Sequence, residues 1–158
     1  MQNNSETGCC SRFNPEPWDG KEHHWQNRKF VKGHVCSFFH IPLNFGKVIV
    51  KLMKQVTDAK AEEKEMMCIS DEKSLFGSDL YISVSKDVPN AVNFEISGTF
   101  LSKAFEGPFS DIGKWIAEMN KFVTSRGKET KRLLFWYTTC PKCAKYYGKN
   151  YIVIFAEV

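Results

Sequence analysis

The spacing of the apolar residues changes from strand-like to helical and back to strand-like, and this succession occurs twice along the chain. It restricts the fold more than any other sequence feature. In each half, a strand-like alternation is followed by a stripe with the helical period of about 3.6 residues and then by two more strand-like runs. The predicted elements, in the order strand, helix, strand, strand for each half, are residues 34–40, 43–59, 66–70, 79–86, 93–106, 110–126, 133–139 and 151–158. Glycine at position 98 predicts a bend in the long strand over 93–106, because glycine lets a strand kink without steric cost. The sequence therefore predicts two pseudo-repeated βαββ units, about 34–88 and 91–158.

Two such units indicate an α+β domain over 34–158, preceded by an extended N-terminal arm over 1–33. We expect a curved, mainly antiparallel sheet with two helices on one face and a ligand cleft on the other. Wide apolar patches are uncommon on monomers, so aromatic residues on the second face either form a core or dimer interface or line that cleft. The candidate ligand-binding residues are Tyr81, Phe105, Trp136, Tyr151, Phe155 and Trp18.

Length and composition exclude several classes of protein. A chain of 158 residues with 42% hydrophobic residues is long enough for one domain with its own core. The start of the chain is polar, and no apolar run approaches the roughly 20 residues that cross a bilayer, so we expect a cytoplasmic protein without a membrane partner. Basic residues concentrate over 126–149, but no nucleic-acid motif accompanies them, and we expect no nucleic-acid partner. The expected partner is a small molecule, bound by a monomer or homodimer.

One segment carries a family resemblance, residues 100–115 with the sequence FLSKAFEGPFSDIGKW. It resembles the strand, Gly-Pro-aromatic turn and helix start of GyrI-like domains, the effector-binding fold shared with multidrug-responsive transcription regulators. Over its full length the chain is more similar to small prokaryotic GyrI-like proteins, often labelled hydrolases. That group combines CCxxFNPxPW near the start with YTTCPKCAK near the end, and these motifs stand here at residues 9–18 and 137–145.

The resemblance implies a cleft between two pseudo-symmetric halves that accepts flat or cationic hydrophobic compounds. Some GyrI-like proteins hydrolyse strained, cyclopropane-containing genotoxins, which extends the expectation to hydrolysis of a reactive or toxic small molecule. Two alternatives stay open. The first is that the protein is a non-catalytic ligand sensor or sequestering module. The second is that it is a cysteine-based metal-binding or thiol-redox protein.

Three residues are candidates for catalysis on chemical grounds. A partly buried carboxylate protonates a leaving oxygen or orients water, while aromatic faces hold a planar substrate. Glu106 ends a predicted strand just before a Gly-Pro turn, and Glu157 interrupts the apolar run of the last strand. Tyr137 closes the preceding apolar run. We therefore predict catalytic roles for Glu106, Glu157 and Tyr137.

Four cysteines form two close pairs, Cys9 with Cys10 and Cys140 with Cys143. A thioredoxin-type Cys-x-x-Cys is followed by a helix of several turns. Only residues 144–150 separate the second pair from the next strand, so we expect no such helix. The pairs instead predict a zinc site, completed where needed by water or a nearby histidine, with free or reversibly oxidised thiols and a disulfide as the alternatives.

The remaining cysteines and the N-terminal arm have simpler interpretations. Cys36 and Cys68 fall within apolar strand-like runs, and we expect both to be small buried hydrophobic residues. Residues 13–18, FNPEPW, combine two prolines with aromatic rings. This composition predicts an extended segment that docks through its rings and, if it lies across the sheet, covers a cleft.

Overall fold

The computed structural model of the protein describes residues 12–38, 41–74, 76–139 and 141–158. The strands are β1 (Lys21–Phe38), β2 (Ile41–Pro42), β3 (Cys68–Ser74), β4 (Gly77–Ser83), β5 (Val92–Glu106), β6 (Arg132–Tyr137) and β7 (Tyr151–Glu157). The helices are α1 (Phe45–Asp58), α2 (Ile112–Ser125), which follows a single 3-10 turn at Phe109–Asp111, and α3 (Pro141–Tyr147).

The predicted strands and helices are present in the predicted order, as β1, α1, β3 and β4 followed by β5, α2, β6 and β7, but β2 and α3 interrupt the two units. Both helices that the apolar stripes predict are present within their predicted ranges. Gly98, the predicted bend, has a φ of 148°, a conformation that residues with a side chain rarely adopt. Three elements differ from the prediction: β1 begins at Lys21 instead of residue 34, and neither β2 nor a helix at α3 was expected.

The expectation of an open curved sheet with two helices on one face is wrong. The hydrogen-bonded strand order is β2-β1-β4-β3-β6-β7-β5, and β5 also pairs with β1. Six strands, β1, β4, β3, β6, β7 and β5, therefore form a closed antiparallel barrel, and the described residues contain three α-helices. Closure gives hydrogen-bond partners to the backbone groups that an open sheet leaves exposed along its edges.

The chain divides into two compact units. The central unit is His24–Gly98, and its core lies where α1 packs on β1 and β4. Gly33 allows this close approach, because a Cβ at that position would lie 2.8 Å from Leu52 Cδ1 and from Val48 Cγ1. The core side chains are Val31, Val35, Leu52, Val56, Ala61, Leu80, Ile82, Val84 and Val88.

The C-terminal unit comprises Thr99–Val158 together with Met1–His23, of which the structure describes residues from 12 onward. A hydrophobic core of this unit lies between α2 and one face of β5, β6 and β7. The residues buried there are Leu101, Phe105, Trp115, Met119, Val123, Phe135, Ile152, Ile154 and Ala156. Since side chains alternate along a strand, the intervening residues of the same strands face away from α2.

Two further expectations can be compared with the structure. Cys68 packs against the core of the central unit, where burial raises the pKa of its thiol to about 12. Cys36 is exposed, so its prediction as a buried residue is wrong. Within the part of the chain that the structure describes, no helix has both the length and the hydrophobicity of a membrane-spanning segment.

Candidate functional site

Ionisable side chains gather on the face of the central unit that points away from α1. The antiparallel register of β1 and β4 places Lys32 opposite Tyr81 and His34 opposite Asp79. Their neighbours in the chain, among them Val31 and Leu80, belong to the core beneath α1, so these four side chains share the other face. We call this set the β1–β4 site.

Asp79 binds both basic residues of the β1–β4 site. One carboxylate oxygen lies 3.1 Å from His34 Nδ1, and the other lies 3.4 Å from Lys32 Nζ. Burial alone would raise the pKa of Asp79, but the hydrogen bond from His34 and the charge of Lys32 outweigh burial and hold the pKa below its usual value. Asp79 is therefore an anion that fixes two neighbours in position.

The contact with Asp79 also determines which nitrogen of the His34 ring is the hydrogen-bond donor. An ionised carboxylate only accepts hydrogen bonds, so Nδ1 is the nitrogen that donates to Asp79. Nδ1 is also the ring nitrogen that bonds within the described residues, which leaves Nε2 for a water molecule or ligand. The His34 side chain is 61% exposed. A histidine oriented by a carboxylate, with a second nitrogen that makes no hydrogen bond to the described residues, has the arrangement of a general base.

Aromatic rings lie beside the lysine of the β1–β4 site. Lys32 Nζ is 5.9 Å from the centre of the Tyr81 ring and 5.5 Å from that of Phe94, whose rings are 5.4 Å apart. Tyr81 is buried, whereas Phe94 remains 40% exposed. The exposed ring offers a surface against which a flat molecule can stack, next to a cation and within the same unit as His34.

A second carboxylate, Asp71, stands directly across the β3–β4 pair from Asp79. It is only 3% exposed. Side chains at directly opposite positions have Cβ atoms about 4.5–5.5 Å apart, so two carboxyl groups share this face. Among the residues that the structure describes, no three His, Cys, Asp or Glu side chains are grouped to hold a metal ion. Lys32, His34 and Asp79 are themselves side chains of the kind that carry out acid–base chemistry.

The predicted ligand-binding residues fall into three places. Tyr81 lies in the central unit beside the β1–β4 site. Phe105 lies under α2, stacked on Trp115 with ring centres 5.8 Å apart. The other four lie together in the C-terminal unit on the face away from α2: Trp18, Trp136, Tyr151 and Phe155.

The predicted catalytic residues lie at the two ends of β7. Glu106 and Tyr137 pair with Tyr151 and Ile152 at one end, while Glu157 is at the other end, about 20 Å away at the usual rise of a strand. Glu157 accepts a hydrogen bond from Arg132 Nε at 2.9 Å. Glu106 is exposed and borders a surface depression of about 440 Å³. The structure therefore brings two of the three to the same region, and their catalytic roles stay predictions.

The segment after Cys140 differs from its prediction. Helix α3 begins at Pro141, a residue type suited to the first helical position because its missing N–H would have no partner there. Cys143 lies in this helix and is fully buried. Cys9, Cys10 and Cys140 lie outside the described residues, so the zinc site and its redox alternatives stay predictions.

The sequence reasoning did not find Lys32, His34 and Asp79. A signal was available, because Lys32 and His34 alternate with Val31 and Val35, which indicates two polar residues on one face of an otherwise apolar strand. Such alternation is ordinary at a solvated sheet surface. The pairing with Asp79, 45 residues further along the chain, becomes visible only in the folded protein.

The fold is similar to that of several solved structures at low sequence identity. A hydrolase from Listeria innocua has a TM-score of 0.63 at 11% identity, with 89% of this chain and 92% of that chain covered. An uncharacterized conserved protein from Listeria innocua has a TM-score of 0.61 at 11% identity, covering 86% and 90%. The EcmrR C-terminal domain has a TM-score of 0.59 at 12% identity, covering 87% and 93%. At this identity the similarity establishes the fold.

Comparison of the sequence itself gives the family. No curated protein matches the chain significantly. The family described as bacterial hydrolase matches residues 1–158. This match and the similar structures agree with the GyrI-like fold family that the sequence resembles, while the two cysteine-containing motifs quoted for that resemblance stay predictions. Because the match spans the whole chain, the protein belongs to the bacterial hydrolase family.

Proposed function

We propose that this protein binds a small hydrophobic or aromatic molecule at the β1–β4 site and hydrolyses it, with His34 as the general base. The observation that carries the proposal is the contact of 3.1 Å between His34 Nδ1 and Asp79 Oδ1, which orients the ring and leaves Nε2 without a hydrogen bond to the described residues. A base held by a carboxylate is the arrangement by which many hydrolytic sites activate a nucleophile.

The proposed reaction needs no group beyond the site and water. Water gives a proton to His34 Nε2, and its oxygen bonds to an electrophilic carbon of the bound molecule. The bond from that carbon to the leaving group then breaks, and the leaving group takes the proton from His34. Lys32 stabilises the negative charge that develops on oxygen, and Asp79 stabilises the imidazolium between the two proton transfers.

The aromatic neighbours support the choice of substrate class. Phe94 presents an exposed ring, and the Lys32 ammonium lies against both Phe94 and Tyr81. A flat molecule stacked on Phe94 would place a carbonyl or strained ring within reach of Lys32 and His34. The substrate class is therefore a small aromatic molecule with a reactive, hydrolysable bond.

The test measures turnover of two aromatic electrophiles, 4-methylumbelliferyl acetate and styrene oxide. General acid–base groups contribute about 10²–10⁴-fold, so His34→Gln and Asp79→Asn should each lower kcat/KM at least 100-fold for the substrate that is turned over. The matched control is His24→Gln, which removes another histidine of β1 and should leave kcat/KM unchanged. Glu106→Gln and Glu157→Gln test the carboxylates predicted from the sequence in the same assay.

Three results would contradict the proposal. Full activity in His34→Gln would exclude His34 as the base, and a loss confined to Glu106→Gln or Glu157→Gln would move the chemistry to that carboxylate. Binding of both compounds without any product in the wild type would instead support the non-catalytic alternative, a sensor or sequestering module.

A further inference from the structure

The described part of the N-terminal arm covers an aromatic surface of the C-terminal unit. We call residues 13–19 the covering segment, and Trp136, Tyr151 and Phe155 the aromatic face. Trp18 meets Trp136 edge-on at 5.0 Å between ring centres and Phe155 at 5.9 Å. Phe13 lies 5.4 Å from Trp136 and 5.6 Å from Tyr151. The covering segment therefore places two of its own rings where a flat ligand of the aromatic face would lie.

A single buried hydroxyl holds the centre of the covering segment. Ser102 on β5 is fully buried, and its Oγ donates a hydrogen bond to the backbone oxygen of Trp18 at 2.6 Å. Because a hydroxyl has one proton, its oxygen accepts the second bond, from His23 Nε2 at 2.7 Å. The backbone N–H of Ala104 adds a longer bond of 3.3 Å to Asp19 Oδ1. These polar bonds fasten the segment at one point, next to Trp18.

The Trp18 side chain has one buried polar atom that makes no hydrogen bond to the described residues. Trp18 is 8% exposed, and the atom is its indole Nε1. A buried donor without an acceptor lowers the stability of the arrangement relative to one in which water solvates that donor. Release of Trp18 would remove this penalty, so the covered and uncovered states are closer in free energy than the ring contacts alone indicate.

We propose that the covering segment is a displaceable cover over a second binding site, and that Trp18 and Phe13 occupy the aromatic face in place of a flat, uncharged aromatic ligand. A tethered ring competes as an intramolecular ligand, so the apparent affinity for an external molecule is its intrinsic affinity multiplied by the fraction of protein that is uncovered. Two polar side chains beside Trp18, Ser102 and His23, are engaged in holding the segment. Recognition is therefore by stacking and by burial of apolar surface.

The probe for this site is 2-acetylnaphthalene, a flat two-ring ketone with no hydrolysable bond. Ser102→Ala removes the bond to Trp18 O and leaves every ring of the aromatic face intact, so binding should tighten at least ~10-fold. Trp18→Ala should tighten it further. The matched control is Ser83→Ala, which replaces another fully buried serine, one that accepts a hydrogen bond from Met67 N in the central unit. That variant should bind the probe as the wild type does.

Hydrogen exchange in the wild type gives a second measurement that needs no variant. The Trp18 and Asp19 amides donate to Pro15 O at 2.9 and 3.0 Å, and saturation with 2-acetylnaphthalene should increase their exchange. Slower exchange, or binding that weakens or stays unchanged in Ser102→Ala, would overturn the proposal and make the segment a permanent part of the core. Failure of every variant to bind the probe would do the same. Because this site does not use His34, His34→Gln should bind the probe normally even if the hydrolase proposal fails.

Discussion

Gly77 lies against the imidazole of His34. A Cβ built on Gly77 would be 2.8 Å from both Cε1 and Nε2 of the ring. The pairing of Cys36 with Gly77 brings this glycine beside the end of β1 at which His34 is located. The missing side chain at position 77 therefore gives the ring the space in which Nδ1 reaches Asp79.

The first prediction concerns this glycine. Gly77→Ala should displace the His34 ring and lower kcat/KM for the substrate at least ~10-fold, because general-base catalysis depends on the position of Nε2. Stability should change little, since the His34 side chain is largely exposed and can rotate away. Activity and the thermal midpoint, measured on the same sample, separate the two effects. Unchanged kcat/KM would show that the ring position is irrelevant to turnover.

The second prediction concerns pH. The folded-state pKa of Asp79 is below its unfolded value, so ionised Asp79 stabilises the folded protein above the unfolded pKa of about 3.9. This contribution is lost as pH falls through the lowered folded pKa. Urea unfolding from about pH 7 to 2 should show a stability difference between wild type and Asp79→Asn that is constant above about pH 5 and shrinks below about pH 4.

The control for the pH experiment is Asp58→Asn. Asp58 also contacts a lysine, with its side-chain oxygen 3.2 Å from Lys54 Nζ, but its side chain is 65% exposed. Exposed pairs of this kind contribute little, so its difference from the wild type should be small at every pH. A pH-independent difference for Asp79→Asn would contradict the lowered pKa.

The third prediction concerns the contact of α1 with β1. Gly33→Ala would place a methyl group 2.8 Å from Leu52 Cδ1 and Val48 Cγ1, and overpacking of this kind costs about 1–3 kcal/mol of stability. Gly46→Ala is the matched control, because, apart from its chain neighbours and the backbone of α1, no described atom lies within 4 Å of the added Cβ. Gly46 is in α1, so alanine there should leave the free energy of unfolding unchanged or raise it. Equal effects of the two substitutions in urea unfolding would contradict the packing.

The fourth prediction separates two cysteines by reactivity. Burial raises the pKa of Cys68 to about 12, so the reactive thiolate is scarce at neutral pH, whereas Cys36 is exposed. Iodoacetamide at about pH 8 should label Cys36 in the native protein and Cys68 only after unfolding, as measured by peptide mass spectrometry. The unfolded Cys68 ionises near 8.5, so its contribution to stability should fall as pH rises from there towards 12. Rapid labelling of native Cys68 would show that it is accessible.

The elements that the sequence predicts well are those with a sustained period. In α1, the buried residues Leu52 and Val56 belong to a stripe that repeats over several turns, and the same holds for Trp115, Met119 and Val123 in α2. Helix α3 lacks such a stripe and has only seven residues, and the polar start of β1 lacks a clear alternation. Short or polar elements take their structure from packing, which no local pattern records.

The candidate site was harder to predict than the helices and strands, because it too depends on packing that no local pattern records. Tyr81 was selected because it is aromatic, yet the groups around it, Lys32 and Asp79, come from two strands that meet at a particular register. A shift of one residue in that register would turn Asp79 towards the helix and separate it from His34. Predictions from residue type alone therefore favoured Glu106 and Glu157, which sit in recognisable positions of the sequence.

The sequence by itself determined the order in which the predicted strands and helices follow one another, the faces of α1 and α2 that are buried, and the similarity to a family of bacterial hydrolases. Each of these follows from local periodicity or from motifs that are continuous in the chain. Only the tertiary structure decided that β5 pairs with β1 to close the barrel, that His34 and Asp79 meet, and that Trp18 covers Trp136. These contacts join residues far apart in the chain, and the free energy that selects them comes from the packing and hydrogen bonds of the folded protein as a whole.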